Sequence, residues 1–416
     1  MRLVSFTVGL LAIFTLACGP VQDQSSDIPP VETGLWRFEL TLREGIILPF
    51  IAEISQDGQA YAMTIHNAEE RLPVASFQRV GDSVFIQLSV FQSEFKAKID
   101  AQGHFAGKWY DRSRGPDYAI AFEAQPQKDG QRFPASAQQG LTLAPKYAVG
   151  FSVGTADAYP AVGIFKQQKN DLTGTILTET GDYRYLEGHS FEDGFELSAF
   201  DGAHAFLFVG THRGDTLEGT FYSGSHWEEP FMAIPSEEVA LRDPDELTYL
   251  KEGYTSLEFS FPDAEGQQIS LADERFQDKV VIVQILGSWC PNCMDETRLF
   301  AEWHDQYQDR GLEIVGLAFE RTGDETKAWT AIERMKQGLG VEYPVLLAST
   351  SNSKAGASEA LPMLNQVMSY PTSIYLDREG RIRKIHTGFY GPGTGAPYQR
   401  FVEQYGRFIE DMLAEE

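Results

Sequence analysis

From Gly34 to about Pro235 hydrophobic and polar residues alternate with a period of two, through segments such as WRFELTL, SVFIQLSVF, FELSAF and HAFLFVG. The turn pairs Asp57-Gly58, Gly81-Asp82, Gly181-Asp182 and Asp193-Gly194 punctuate this alternation. No helical period of useful length interrupts it, so the region is predicted to be an all-β antiparallel system. The pattern also repeats. LSVF at Leu88–Phe91 leads into GHFAGKWY at Gly103–Tyr110, and LSAF at Leu197–Phe200 leads into GDTLEGTFY at Gly214–Tyr222. Each copy has a returning strand with Gly, a spacer, Gly and an aromatic pair, followed by a further apolar segment, YAIAF or EPFMAIP. Two related β-modules are expected, residues 31–125 and 145–235, arisen by duplication and packed together.

Ser236–Glu252 breaks the pattern with charge and one proline, and is expected to be a linker with a short helix. Beyond it, strands and helices alternate. DKVVIVQIL and LEIVGLAFE are continuous apolar runs, as strands buried on both faces require. Helical spacing is predicted from Cys290 to about Gln308, from Asp324 to Gln337 with Gly338 as terminator, and from about Pro397 to Leu413. PTSIYLD and RIRKIHTGF form a hairpin around Arg378-Glu379-Gly380. Residues 253–416 are therefore expected to be an α/β domain with a mixed sheet.

The 416-residue length calls for more than one core. A formal net charge of -26 excludes nucleic acid as a partner and disfavours adsorption to anionic lipid. The N-terminus changes the picture more. MRLVSFTVGLLAIFTLACG has one cation, Arg2, then an apolar run from Leu3 to Ala17 that suits a signal peptide, residues 1–17, better than a membrane span. The run ends at Leu16-Ala17-Cys18-Gly19, which resembles a lipobox with Thr15 where that pattern usually has Leu, so Cys18 is the expected lipidation site. A plain secretory signal, with Cys18 lost or free, is the alternative. Residues 18–30 are polar and Pro/Ser-rich, a tether that would lift the folded part off a membrane.

If Cys18 carries lipid, two thiols are left in the mature protein, Cys290 and Cys293 of GSWCPNCMDE. Export would place them where disulfides persist. The motif falls between a buried strand and a helix start, where unpaired N–H groups and the positive end of the helix dipole stabilise a thiolate. Cys290 is then expected to attack and Cys293, one turn in, to resolve. Pro291 suits the first helical turn. Zinc would need more ligands than this region offers, a c-type haem would need His where Met294 stands, and plain packing does not call for such a string. No metal or cofactor is expected.

Three features of residues 253–416 resemble the thioredoxin-fold domains of TlpA/ResA-like thiol–disulfide oxidoreductases: the strand-SWCPNC-helix unit, the entry LEFSFPDAEGQQISLADERFQDKVVIV, and SYPTSIYLD. The resemblance implies that Pro371 is cis and faces the cysteines, with the Tyr370 backbone free to pair with a substrate strand. It also implies a proton-handling role near the thiols for Glu296, three residues after Cys293. Gln284 stands where thioredoxins carry a buried acid, and Trp289 is expected to flank and shield the pair. The same resemblance implies a reductase; with the lipobox-like start, the chain is expected to be lipid-anchored in the bacterial cell envelope, facing the periplasm or associated with the outer membrane. Its partners would be exported disulfide-containing proteins and a membrane electron-donor protein. The alternative is a binding or sensor lipoprotein whose β-modules engage a partner. A peroxiredoxin-type peroxidase fits less well, since Leu286-Gly287-Ser288-Trp289 replaces the usual Thr-x-x before the cysteine. The histidines of the β-modules, His204 among them, lack ligand spacing and are expected to be structural or at the surface.

Overall fold

The computed structural model describes residues 29–134 and 139–415; the leader, Cys18 and most of the tether lie outside them. Among the described residues no helix is long and apolar enough to cross a membrane.

Strands β1 (Gly34–Arg43), β2 (Ile46–Asp57), β3 (Ala60–Asn67), β4 (Glu70–Pro73), β5 (Ser76–Val80), β6 (Ser83–Gln87), β7 (Ser93–Ile99), β8 (Phe105–Asp111) and β9 (Ala119–Pro126) form one antiparallel sheet. Its order is β2-β1-β9-β8-β7-β6-β5-β3-β4, and a further β2–β3 pairing closes it into a ring. The alternation on β1 turns Trp36, Phe38, Leu40 and Leu42 inward. There Trp36 stacks on Phe105 at 4.3 Å and Phe38 on Phe50 at 5.0 Å, so aromatic side chains fill the interior.

The second sheet repeats the first strand for strand. It comprises β10 (Lys146–Phe151), β11 (Tyr159–Gln168), β12 (Asp171–Thr178), β13 (Gly181–Asp182), β14 (Leu186–Phe191), β15 (Gly194–Phe200), β16 (Ala205–Arg213), β17 (Thr216–Ser223) and β18 (Trp227–Pro235). The order β11-β10-β18-β17-β16-β15-β14-β12-β13 is closed by β11–β12. The spacer glycines of the repeat have the same cause in both copies. A Cβ at Gly107 would lie 2.0 Å from the Lys96 carbonyl oxygen, and one at Gly219 would lie 2.2 Å from that of Val209. One expectation changes: Gly181-Asp182 is a strand, and the turn is the Glu179-Thr180 pair before it, since Thr178 pairs with Gly181 and Leu177 with Asp182.

The barrels share core. Phe200 of the second stacks on Phe50 of the first at 4.5 Å. Asn67 donates to the Phe200 carbonyl at 2.9 Å and accepts from its N–H at 3.1 Å.

Residues 236–252 contain no helix. Their polar groups are satisfied from outside instead: the Pro244 carbonyl accepts from Thr387 N–H at 3.0 Å, and Asp245 lies 2.7 Å from His386 Nδ1.

The C-terminal region opens with a hairpin, β19 (Ser260–Pro262) and β20 (Gln268–Ser270), before a five-stranded sheet. This sheet comprises β21 (Val280–Leu286), β22 (Leu312–Phe319), β23 (Val345–Ser349), β24 (Thr372–Leu376) and β25 (Ile382–Thr387). Its order is β23-β22-β21-β24-β25; β21, β22 and β23 are parallel, and β24 and β25 antiparallel. The helices are α1 (Pro291–Tyr307), α2 (Glu325–Leu339), α3 (Lys354–Ala360) and α4 (Ala396–Ala414). Every residue of β21 is buried, Gln284 included. Helix α2 runs through Gly338 and stops at Gly340, whose φ of 68° makes the left-handed C-cap. The mixed sheet with this helix order is a thioredoxin-like fold.

Candidate active site

Strand β21 delivers the chain to Cys290, the N-cap of α1. Its Sγ accepts the Cys293 N–H at 3.4 Å, and its thiol donates to the Tyr370 carbonyl at 3.4 Å. The Tyr370–Pro371 peptide bond is cis. Both cysteines are unbridged and buried, Cys290 8% exposed and Cys293 fully enclosed. Burial pushes the Cys293 thiol well up, and the neighbouring Cys290 and Glu296 add to the rise. The half-buried Trp289 donates its indole N–H to the Phe319 carbonyl at 2.9 Å. It stands edge-on to Tyr370 at 5.6 Å, with the Arg321 guanidinium 5.0 Å from its ring centroid.

Glu296 is fully buried one turn after Cys293. Gln284 donates to its Oε2 at 2.8 Å, while Oε1 has no hydrogen-bond partner. Burial raises this carboxyl to about 8 despite the Gln284 bond, so it is protonated at neutral pH. An acid whose folded-state pKa is raised is harder to ionise folded than unfolded. Stability is therefore lost as pH climbs from the ordinary carboxylate range through about 8. Glu296→Gln is expected to remove this loss: urea unfolding at pH 6 and pH 9 should show wild type weakening relative to the variant by a few kcal/mol at about 1.4 kcal/mol per pKa unit. An equal pH response of the two proteins would contradict it.

Several residues that bear on the site were not singled out in the sequence. Buried Glu320, at the end of β22, accepts Ser288 N–H at 2.9 Å and Ser288 O–H at 2.8 Å, fixing the turn before Cys290. Asn292, between the cysteines, donates to Asp182 of the second barrel at 3.1 Å and to the Phe389 carbonyl at 3.0 Å. Arg184, also of the second barrel, reaches three units of the molecule. It pairs with Glu70 of the first barrel at 2.9 Å, Asp201 of its own at 3.3 Å, and Asp295 of α1 at hydrogen-bond contact. Burial raises Glu70 and Asp182, whereas His204 and Arg184 overcome burial to hold Asp201 down at about 2. His204 also lines the cleft over Cys290. For Glu320 and Asp295, an acidic residue at a strand end or within the CxxC helix is the signal the sequence offers.

A CxxC pair at the start of α1, facing a cis-proline loop on a mixed sheet, defines a thiol–disulfide oxidoreductase-like thioredoxin domain. Residues 253–385 match the AhpC/TSA family model. The chain is 26% identical over 143 residues to the thiol-disulfide oxidoreductase ResA of Geobacillus thermodenitrificans, covering 34% of this chain and 73% of that protein. It is 29% identical over 124 residues to ResA of Bacillus thuringiensis subsp. konkukian, covering 30% of this chain and 62% of that relative. Among solved structures, a thioredoxin family thiol:disulfide interchange protein of Chlorobium tepidum aligns at 18% identity and TM-score 0.29 over 39% of this chain and 99% of its own. The thioredoxin domain of a Bacteroides vulgatus thiol-disulfide oxidoreductase aligns at 23% identity and TM-score 0.28 over 38% and 99%.

Proposed function

We propose that this chain is an extracytoplasmic thiol–disulfide oxidoreductase, held at the membrane by lipid on Cys18, that reduces disulfides of exported proteins. The observation that carries the reading is the placement of Cys290: N-cap of α1, against the cis Tyr370–Pro371 loop and at a cleft, with Cys293 enclosed behind it. The Cys290 thiolate attacks one sulfur of the substrate disulfide, forming a mixed disulfide and releasing the other sulfur as thiolate. Cys293 then gives up its proton and attacks Cys290 Sγ, which releases the second substrate thiolate and leaves a Cys290–Cys293 disulfide. Two electrons pass to the substrate, and a membrane electron-donor protein returns two to the pair. In its ionised form, which gains population as pH approaches about 8, Glu296 accepts the proton of Cys293, whose raised pKa makes deprotonation the step needing help. Sulfur exchange needs no metal or cofactor. Both barrels pack on the redox domain around the motif, which ties them to its chemistry more closely than to a separate binding role.

Cys293→Ser is the direct test. The resolving step is then blocked, so disulfide-linked partners should accumulate on Cys290 in cells and appear as reducible high-mass bands. Absence of any such adduct, together with failure of wild type to reduce insulin, would remove this reading.

A further inference from the structure

A cleft of about 360 Å³ lies over Cys290. One wall belongs to the redox domain, including Trp289 and Met368; the other belongs to the second barrel and includes Tyr159, Thr180, His204 and Phe206. The barrel wall is fastened in place. The Glu179-Thr180 hairpin tip reaches the cis-proline loop, where Ser369 donates to the Thr180 carbonyl at 2.9 Å. Tyr390 donates to the Thr178 carbonyl at 2.9 Å. A Cβ at Gly388 would lie 2.9 Å from the Thr180 backbone. Phe206 is braced by the His204 ring stacked on it at 4.3 Å and by Tyr183 at 5.3 Å. Flank space that a large partner would need beside the cis-proline loop is thus already taken by the chain itself.

We propose that the second barrel is the selectivity wall of the exchange site, admitting a disulfide with slender flanks and turning away one set in a folded surface. This rests on the exchange reading above. The cleft volume stands at the low end of small-molecule sites, about 300–1,000 Å³, whereas a folded partner covers about 800 Å² on each side. A cystine unit fits such a space from either of two sources, a low-molecular-weight disulfide or an extended chain segment. The electrons balance as in the exchange above: two leave the Cys290–Cys293 dithiol, and the entering disulfide becomes two thiols.

The test uses the full-length protein, reduced beforehand and mixed with oxidised glutathione, with a short cyclic peptide disulfide, or with a folded disulfide protein such as lysozyme. Loss of the two thiols is followed by acid quench, alkylation and mass measurement. Each rate is divided by that of dithiothreitol with the same disulfide, which removes intrinsic reactivity. The slender disulfides are expected to react at least about ten-fold faster than the folded one. Phe206→Ala, which opens the wall, should shrink that ratio about five-fold, and Met368→Trp, which fills the cleft from the opposite side, should slow the slender disulfides selectively. A ratio is unaffected by the fraction of a variant that fails to fold. Preference for glutathione alone, or for the peptide alone, supports the proposal and names the source. A wild-type ratio near one, or an unchanged ratio in Phe206→Ala, overturns the selectivity wall while leaving exchange intact. Reaction with none of the three overturns exchange and the wall together.

Discussion

Replacing Cys290 by serine is expected to lower the rate of disulfide reduction by on the order of a thousand-fold or more, because the hydroxyl is a far weaker nucleophile than a thiolate at neutral pH. The geometry makes the effect asymmetric between the cysteines. Cys290 sits at the cleft, whereas Cys293 is fully enclosed and cannot meet a substrate directly. Cys290→Ser should therefore form no mixed disulfide at all, while Cys293→Ser should form one and stall. Insulin reduction and adduct formation, measured on both variants, check this. Substantial activity in Cys290→Ser, or adducts on Cys293 in that variant, would contradict the assignment of attacking and resolving roles.

Arg184→Leu should be the most damaging single change away from the cysteines. The Arg184 guanidinium is buried against Glu70, Asp201 and Asp295, with Asp182 beside it. Removing it leaves carboxylates facing one another in a water-poor site, a loss of about 3–5 kcal/mol. The sign of the pH response follows. Without the cation Glu70, Asp182 and Asp201 become harder to ionise in the folded state, so the deficit grows above the carboxylate range and shrinks as acid protonates them. Thermal midpoints of variant and wild type between pH 5 and pH 8 measure it. A deficit that does not change with pH would mean that lost packing, and not uncompensated charge, is the cause.

The strand-CxxC-helix unit was legible because each part leaves a local mark. The apolar run of β21 needs two covered faces, Pro291 suits a first turn, and the cysteine spacing is one helical turn. The β-modules were legible as alternation and as a repeat, but alternation does not say which strands meet. Closure depends on β2 pairing with β3 and β11 with β12 as well as on first and last strands meeting, contacts the period of two cannot encode. Gly338 was expected to terminate the second helix, but the left-handed C-cap is Gly340, and its position depends on where the last turn ends. Asn292 and Arg184 were invisible for a different reason. Their partners lie on other units, as with Asn292 and Asp182. Polar side chains at those positions look like surface residues until the units dock.

Because β11 pairs with β12, the second barrel is held by a closed ladder of strands, and the Glu179-Thr180 tip stands outside that ladder. The first barrel has the same tip at Ala68-Glu69, and there it is spent on a different neighbour, with Ala68 N–H donating to Glu187 at 2.6 Å. The two barrels thus carry one such protrusion each, at equivalent places, of which only the second faces the thiols. Changes in the length or bulk of that tip alter the opening above Cys290 while leaving the hydrogen-bonded ring untouched. On the selectivity reading, a substitution in this two-residue turn would change which disulfides enter while folding and sulfur chemistry stay as they are.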